Sequence, residues 1–318
     1  MKHMEVQNYG FNLILKDYAR FPRYLPLPCH LEHGWTSLEE ALVSDLKTEQ
    51  PLMLTFSKRR KEAWKRKSPI PAEVMGAPFS HYKDMQGIVR DKAARGTVVF
   101  PSHSTYDLKA QFDIDLFCKE LQSLPKEFQP ITVCLFWIDY IDKKADVYRK
   151  AGFSVVTTGS KFVNSISFPR NFYSILSQHK YCASNDVGSY TFYSVDFGTP
   201  FFLVGEPAIV INKGMKDVNI GAVGRIEDTD LGLKVHNLFS TGPVSQISAA
   251  QKKFVEDEMG TKDCLSREEM HDLLWKYYRK NPGRIKDSLA YMADTAIKTF
   301  ILNGPLGKLA IAIRTKIS

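Results

Sequence analysis

The chain has 318 residues, of which 44% are hydrophobic and 25% are charged, a composition typical of a folded globular protein rather than a disordered one. Its net charge of +8 indicates a partner that carries negative charge, such as a phosphate-bearing ligand, a nucleic acid or an anionic membrane. Its five cysteines are scattered without a C-x-x-C pair, which argues against a disulfide framework and predicts a cytoplasmic location.

The N-terminal part of the chain, residues 1–85, is predicted to be a small α/β domain on the acceptor side of the protein. A short apolar strand ends at the segment CHLEHGW, and a helix is predicted over TSLEEALVSDL, with Thr36 or Ser37 as its N-cap. The apolar run LMLTFS predicts a second strand.

Residues 86–242 alternate between short apolar runs and helix-like segments. The apolar runs are GTVVFPS, ITVCLFW, FSVVTTG, YCASN and TPFFLVG. Near-continuous apolar strands that are separated by helical crossovers predict a parallel sheet covered on both faces. Because ligands bind at the carboxyl ends of such strands, we expect the polar loops that follow these runs to share one rim. We therefore interpret 86–242 as a nucleotide-donor-binding domain.

Residues 243–318 change to a helical pattern and are predicted to pack back on the N-terminal domain or to contact a membrane. One helix is predicted over SREEMHDLLWKYYRK, where Ser266 and Glu269 form a capping box. The predicted fold class is α/β, with Rossmann-type parallel sheets in two domains and a helical C-terminus.

The segment YCASNDVGSYTFYSVDFG combines a strand end with a helix start. The strand ends at Ser184 and Asn185, and the helix begins around Gly188 and Ser189. The N–H groups of a first helical turn bind anions, and a glycine permits their close approach. The segment therefore predicts a phosphate site. The alternative is that Ser184 and Asn185 only cap a structural helix.

Two short motifs carry a resemblance to a known family. The order strand, S-N-x-x-G-S turn at 184–189, short helix and G-x-P resembles the donor half of GT-B-fold glycosyltransferases of bacterial surface polysaccharide biosynthesis. It is also similar to the related teichoic-acid glycerophosphotransferases. The pair His33–Gly34 resembles their histidine–glycine motif, whose histidine acts as a base toward the acceptor. The resemblance implies a GT-B-like fold and a nucleotide-activated donor.

Two histidines are the predicted catalytic residues. His33 is the candidate general base for an acceptor hydroxyl, and His30 is the rival base three residues earlier. His103, in the SHST loop after a buried strand, is predicted to neutralise charge on the leaving nucleotide. A protonated His103 would do this without a metal, and we expect no D-x-D motif at the end of a strand. The alternative for each histidine is a purely structural role.

Further donor contacts are predicted along the same rim. The hydroxyls of the SHST loop would hold donor phosphate oxygens, and an acid after FFLVG would bind the ribose. Asp139 would contact the donor base or sugar, or, as the alternative, cap the following helix. The full set of predicted donor-binding residues is Ser102, Ser104, Thr105, Asp139, Gly159, Ser184, Asn185, Gly188, Ser189, Tyr190 and Glu206.

Two basic segments suggest a peripheral contact with the inner face of an anionic membrane. The run KRRKEAWKRK at 58–67 holds seven basic residues and one acid, and is either a solvated helix face or a membrane contact. The tail GPLGKLAIAIRTKIS at 304–318 either lies in a membrane interface or packs across the two domains. No apolar run of spanning length and no signal-peptide core occurs, so we expect neither a membrane span nor export.

The predicted function is that of a metal-independent, inverting glycosyltransferase. It would move a sugar from a nucleotide sugar to an oligosaccharide or lipid-linked acceptor, with no cofactor and no metal. The alternatives are a polyol-phosphate transferase, a non-catalytic assembly partner of a polysaccharide enzyme, and a nucleic-acid-binding protein. Nucleic acid is disfavoured because the aromatic residues cluster in apolar strands and no binding-module motif occurs. A nicotinamide dehydrogenase is disfavoured because no G-x-G-x-x-G follows a strand.

Overall fold

A computed structural model of the chain describes residues 8–105, 108–141, 144–160, 165–214, 223–224, 228–283 and 285–293. The strands are β1 (His30–Leu31), β2 (Met53–Thr55), β3 (Ala72–Val74), β4 (Thr97–Val99), β5 (Leu108–Gln111), β6 (Ile131–Leu135), β7 (Ser154–Thr157), β8 (Tyr181–Ser184), β9 (Phe201–Leu203), β10 (Ile209–Asn212) and β11 (Val223–Gly224). The helices are α1 (Phe11–Tyr18), α2 (Val43–Leu46), α3 (Lys58–Lys65), α4 (Pro78–Gln86), α5 (Ile114–Ser123), α6 (Trp137–Ile141), α7 (Lys144–Lys150), α8 (Ser167–Ser177), α9 (Ser189–Asp196), α10 (Asp230–Phe239), α11 (Ala249–Met259), α12 (Arg267–Lys280) and α13 (285–293).

The five-stranded sheet has the order β7-β6-β4-β8-β9 and is parallel throughout. Its central strands β4 and β8 are buried along their whole length, as their continuous apolar runs predict. The prediction of a parallel sheet in a mixed α/β fold is confirmed. In chain order these strands read 3-2-1-4-5, so the order reverses between β4 and β8. Such a reversal opens the crevice in which open α/β sheets bind ligands.

A second parallel sheet has the order β1-β2-β3 and comes from the N-terminal part of the chain. The helix predicted over TSLEEALVSDL is wrong for most of that segment, because the structure has only α2 there. The carbonyls of Thr36 and Leu38 accept hydrogen bonds from Arg59, and those of Leu38 and Glu40 accept from Arg60. These carbonyls bind guanidinium groups and so do not enter a helical ladder.

A small antiparallel sheet, β11-β10-β5, was not predicted. A helix was expected directly after the first strand of the central unit, but β5 comes first, paired with β10 at Ala110 and Val210. The helix α5 follows, and its N-cap is Asp113, whose carboxylate accepts from the Leu116 N–H at 2.9 Å. The SHST loop is therefore followed in the chain by a strand, after which Asp113 and Asp115 form a D-x-D sequence, so the expectation that no such motif follows a strand is wrong.

One hydrophobic core joins the two parallel sheets and the C-terminal helices. It includes Leu54 of the N-terminal sheet, Val98 and Cys182 of the five-stranded sheet, and Met270 and Leu274 of α12. The predicted capping box of α12 is confirmed, because Ser266 accepts from the Glu269 N–H and donates its own N–H to the Glu269 carboxylate. The predicted domain boundaries at 85/86 and 242/243 stay predictions.

The basic run at 58–67 is matched by carboxylates. Its ion pairs are Lys58–Asp263, Arg59–Glu258, Arg60–Glu32, Lys61–Glu73, Lys65–Glu62 and Lys67–Glu40. Arg66 donates to the Glu39 carbonyl. The membrane contact of this run stays a prediction, and the tail at 304–318 lies outside the described residues. Within the described part of the chain, no helix combines the length and the apolar character that crossing a bilayer requires.

Candidate active site

A cleft of about 220 Å³ lies at the carboxyl ends of both parallel sheets. Its walls come from the loops that follow β1, β4, β6 and β7, and from the start of α9. It is lined by Tyr9, Phe11, His33, Gly34, Trp35, Phe79, Phe100, Pro101, His103, Cys134, Leu135, Phe136, Thr158, Phe168, Phe172, Gly188, Ser189, Tyr190 and Tyr193. The cleft therefore sits at the β4–β8 reversal, where the parallel-sheet topology places ligands.

His33 lies on the wall that the N-terminal sheet contributes. Its ring centroid is 5.9 Å from that of Tyr9. Gly34 brings this loop against α9, because a Cβ at position 34 would be 3.5 Å from the Ser189 Oγ. The neighbouring Glu32 is buried and points elsewhere, toward the Arg60 Nε at 2.5 Å and the Phe56 N–H. The wall thus joins His33 directly to the helix start.

The rival base His30 has a different environment. Its Nε2 lies 3.0 Å from the Asp45 Oδ1, and the side chain of Asp45 is almost fully buried. His30 does not line the cleft. The geometry therefore favours His33 over His30 as a group that can meet a ligand.

His103 lines the same cleft from the five-stranded sheet. Its ring packs on Phe136, with the two centroids 4.4 Å apart. Ser104 fixes this loop through two hydrogen bonds. Its N–H donates to the Asp139 Oδ2, and its Oγ accepts from the Ala110 N–H. The structure thus brings the two predicted catalytic histidines to one cleft from separate sheets.

Gly188, Ser189 and Tyr190 also line the cleft, at the N-terminus of α9. Gly188 is the N-cap, and a Cβ there would lie only 2.7 Å from the Tyr190 ring. Its N–H donates to the Thr191 hydroxyl at 3.2 Å. A helix N-terminus favours a negatively charged group through its dipole and its N–H groups. These three predicted donor residues are therefore placed together with both histidines.

Ser184 and Asn185 are fully buried behind this wall. The Ser184 Oγ donates to the Phe100 carbonyl at 2.6 Å, accepts from the Asp186 N–H, and lies 3.0 Å from the Tyr190 hydroxyl. Burial raises the pKa of the Tyr190 phenol well above its usual value, so this hydroxyl stays protonated. All of these contacts hold β8 and α9 together within the fold.

Asn185 connects three strand ends. Its Oδ1 accepts from the Ser102 N–H at 2.8 Å, and its Nδ2 donates to the Glu206 carbonyl at 3.2 Å. The Ser102 hydroxyl faces the Asp186 carboxylate at 3.4 Å. Glu206 itself has an exposed side chain and does not line the cleft. Asn185 thus fixes the loops of the rim without lining the cleft itself.

The remaining predicted residues lie around the lining rather than in it. Asp139 is buried, with its Oδ1 2.5 Å from the Lys144 Nζ. The Thr105 hydroxyl accepts from the N–H of Leu108, the first residue of β5, at 3.1 Å. Gly159 lies in the loop after β7, next to Thr158, which does line the cleft. The sequence therefore predicted the loops that surround the cleft, but not which residues of those loops line it.

Most of the cleft wall is aromatic, and of its Phe, Tyr and Trp residues the sequence predicted only Tyr190. The aromatic residues come from the segment before α1, from α1, α4, α8 and α9, and from the loops, so no single stretch of sequence contains them. Trp35 is the exception, because it directly follows the His33–Gly34 pair. Cys134 also lines the cleft, and its side chain is buried. Burial raises the pKa of its thiol to about 12, so this cysteine is not a nucleophile at neutral pH.

The electrostatics of the cleft rest on few groups. Among the described residues that line it, none is a lysine or an arginine. Within the described lining, the groups that can favour an anionic ligand are the histidines and the α9 N-terminus. Across the described ranges, no cluster of three or more His, Cys, Asp or Glu side chains is arranged to hold a metal ion.

No protein-family model matches this sequence, and a search of curated proteins finds no significant match. Two similar solved structures are both of the wall teichoic acid polymerase TagF, one of them a variant soaked with CDPG. The variant is 12% identical with a TM-score of 0.32, covering 77% of this chain and 64% of its own. The other is 11% identical with a TM-score of 0.32, covering 86% and 68%. The chain thus spans about two-thirds of TagF, and so low a TM-score establishes neither a shared fold nor a shared activity.

Proposed function

We propose that this protein is a metal-independent, inverting glycosyltransferase with a GT-B-like arrangement of its two parallel sheets. It transfers a sugar from a nucleotide sugar to an oligosaccharide or lipid-linked acceptor. The observation that supports the proposal is the meeting of His33 and His103 in one cleft. That cleft lies at the strand-order reversal, beside the N-terminus of α9.

The donor occupies the α9 side of the cleft in this proposal. The N-terminus of α9 at Gly188 and Ser189 binds the donor diphosphate, since the dipole and N–H groups of a helix start favour an anion. His103 packs on Phe136 and, in its protonated form, stabilises the charge that develops on the leaving phosphate. A histidine in this position takes the part that a divalent metal plays in other transferases.

The acceptor occupies the His33 side. His33 removes the proton from an acceptor hydroxyl, and that oxygen attacks the anomeric carbon of the donor sugar from the face opposite the phosphate. The new glycosidic C–O bond forms while the bond to the phosphate oxygen breaks, so the configuration inverts. The nucleoside diphosphate leaves with the bonding electron pair, and His33 later returns its proton to solvent.

A thermal-shift screen tests the proposal directly. The full chain is melted with UDP, GDP, CMP, CDP and dTDP, with their sugar conjugates and with CDP-glycerol, in the presence of Mg²⁺ and in the presence of EDTA. A ligand that binds only the folded state stabilises it by about 2.7 kcal/mol at a hundredfold excess over its Kd. We expect one nucleotide class to raise the melting temperature equally in both buffers. Incubating that donor with oligosaccharides then has to yield a glycosylated product.

The same screen separates the alternatives. A shift with CDP-glycerol and with no nucleotide sugar would identify polyol-phosphate transfer instead. A shift that requires Mg²⁺ would contradict the role given to His103. No shift with any nucleotide would indicate a non-catalytic partner of a polysaccharide enzyme, and salt-dependent binding of an oligonucleotide would indicate a nucleic-acid-binding protein.

A further inference from the structure

Trp35 lines the cleft two residues after His33, and its ring is anchored from outside the cleft. The Trp35 Nε1–H donates to the Glu258 Oε2 at 2.7 Å. Its ring also packs on Phe192 of α9, with centroids 4.6 Å apart at 43°. A buried indole N–H needs a polar partner, and here a carboxylate of α11 supplies one. The polar edge of the indole is therefore fixed.

Glu258 is itself held by Arg59 of α3. The Arg59 Nε donates to the Glu258 Oε1 at 2.9 Å and the Arg59 Nη2 donates to the Oε2 at 2.7 Å. The side chain of Glu258 is 7% exposed and that of Arg59 is 21% exposed, so the pair is largely removed from water. The remaining Arg59 donors reach the carbonyls of Thr36 and Leu38. One ion pair thus holds the segment 35–38 by its indole and by its backbone.

The Arg59–Glu258 ion pair contributes little free energy of folding for a contact that is only structural. A largely buried ion pair adds little stability compared with apolar side chains of the same volume, because both charges lose hydration. The pair fixes the orientation of the Trp35 indole, because a two-point Arg–carboxylate contact and an indole N–H hydrogen bond allow few orientations. Trp35, whose ring receives this orientation, is one of the residues that line the cleft beside the candidate base.

We propose that Trp35 is a specificity-determining residue that stacks on a sugar ring of the acceptor, and that Glu258 and Arg59 are its positioning pair. The inference rests on the proposed function, in which His33 removes the proton of the same acceptor. A flat indole suits the C–H face of a pyranose ring, whereas an open-chain polyol has no such face. The acceptor class is therefore a pyranosyl oligosaccharide rather than a polyol.

Fluorine NMR of the full chain labelled with 5-fluorotryptophan tests the inference. The four tryptophans give four resonances, and Trp35→Phe identifies the one from position 35. The probes are lactose, maltose and diacetylchitobiose, each added with and without the nucleotide that stabilises the protein. Glycerol and glycerol 3-phosphate are the polyol controls. We expect a disaccharide to shift the Trp35 resonance and both polyols to leave it unchanged.

Enzymatic variants test the positioning pair. Glu258→Gln keeps the size of the side chain and removes its charge, so it should move the Trp35 resonance of the ligand-free protein. It should also raise the KM for the acceptor about tenfold, or about 1.4 kcal/mol, with kcat within about twofold. The matched control is Glu256→Gln on the same helix, whose carboxylate pairs with Lys262. Trp35→Phe leaves the Glu258–Arg59 pair intact and should give the same KM effect, so a folding defect of Glu258→Gln would not hide the result.

The outcomes separate this inference from the proposed function. If nucleotide binding and transfer are measured while the Trp35 resonance and the acceptor KM of Trp35→Phe stay unchanged, the inference is wrong and the function stands. If a polyol shifts the resonance and no disaccharide does, the acceptor class is wrong. If no nucleotide binds and no probe shifts any resonance, the proposed function fails and the inference fails with it.

Discussion

The side-chain amide of Asn185 accepts a hydrogen bond from the Ser102 backbone N–H at 2.8 Å, although 83 residues separate them. The contact joins the ends of β4 and β8, the two strands between which the strand order reverses. Because Asn185 also donates to the Glu206 carbonyl after β9, one buried amide aligns three loops at the rim. The shape of the candidate site therefore depends on a residue behind its surface.

Replacing Asn185 should reduce stability more than an exposed substitution would. Asn185→Ala leaves the Ser102 N–H and the Glu206 carbonyl without these partners, and a buried unsatisfied polar group costs about 1–3 kcal/mol. Urea denaturation measures the loss, with Gln122→Ala on the exposed side of α5 as the control. Equal urea midpoints for the two variants would show that the hydrogen bonds of Asn185 do not contribute to the free energy of unfolding.

The two cleft histidines should be required for turnover and dispensable for folding. His33→Asn and His103→Ala each remove a group that we assign to proton transfer or charge stabilisation, and such groups contribute about 10²–10⁴-fold in rate. Initial rates of sugar transfer and the melting temperature of each variant are the measurements. His30→Asn is the control, since His30 contacts Asp45 outside the lining. Wild-type turnover in either cleft variant would remove that histidine from the mechanism.

Two cations of the basic run should differ in their effect on stability. Arg60 is 4% exposed and pairs with the buried Glu32, so Arg60→Met leaves an uncompensated carboxylate and should cost about 3–5 kcal/mol. Lys65 pairs with Glu62 in solvent, so Lys65→Met should leave the urea midpoint unchanged. Similar losses in both variants would contradict the distinction between an anchoring arginine and a solvated lysine.

Stability should fall as the pH drops below about 6.5. Burial lowers the pKa of His81, and also that of His179, so the folded state resists protonation of both rings. The unfolded chain then binds more protons than the folded one in this window, and each group costs at most about 1.4 kcal/mol per pH unit. Urea midpoints at pH 7.5 and 5.5 should differ less in a His81→Gln, His179→Gln double variant than in the wild type. An equal change of urea midpoint between pH 7.5 and 5.5 in the two proteins would show that these histidines do not cause the loss of stability in acid.

A methyl group at Gly188 should disturb the donor side of the cleft. Its Cβ would lie 2.7 Å from the Tyr190 ring, whose hydroxyl bonds to Ser184 and Asp186, so the ring has to move. We expect Gly188→Ala to weaken nucleotide binding in isothermal titration by about tenfold, or about 1.4 kcal/mol. Gly283→Ala, in the loop after α12, is the control. Unchanged affinity at position 188 would exclude the α9 start as the phosphate site.

Local sequence patterns were enough to predict the parallel sheet, the loops that meet at its rim and the capping box of α12. Each depends on a local pattern: a buried strand shows as an apolar run, and a cap shows as two residues three apart. Because the carboxyl ends of parallel strands share an edge, the loops at His103 and Ser189 could be placed together before their contacts were known.

The cleft wall at Trp35 and the conformation of the loop at 36–40 depend instead on long-range contacts. The predicted helix does not form there, because Arg59 and Arg60 of α3 bind the backbone carbonyls of this loop. Glu258, 223 positions further along the chain, accepts the hydrogen bond of the Trp35 indole. Such partners leave no periodic trace in the sequence, because the contact exists only once α11 packs against the N-terminal sheet. The identity of the loops is therefore a local property, whereas the orientation of the side chains in the cleft follows from long-range packing.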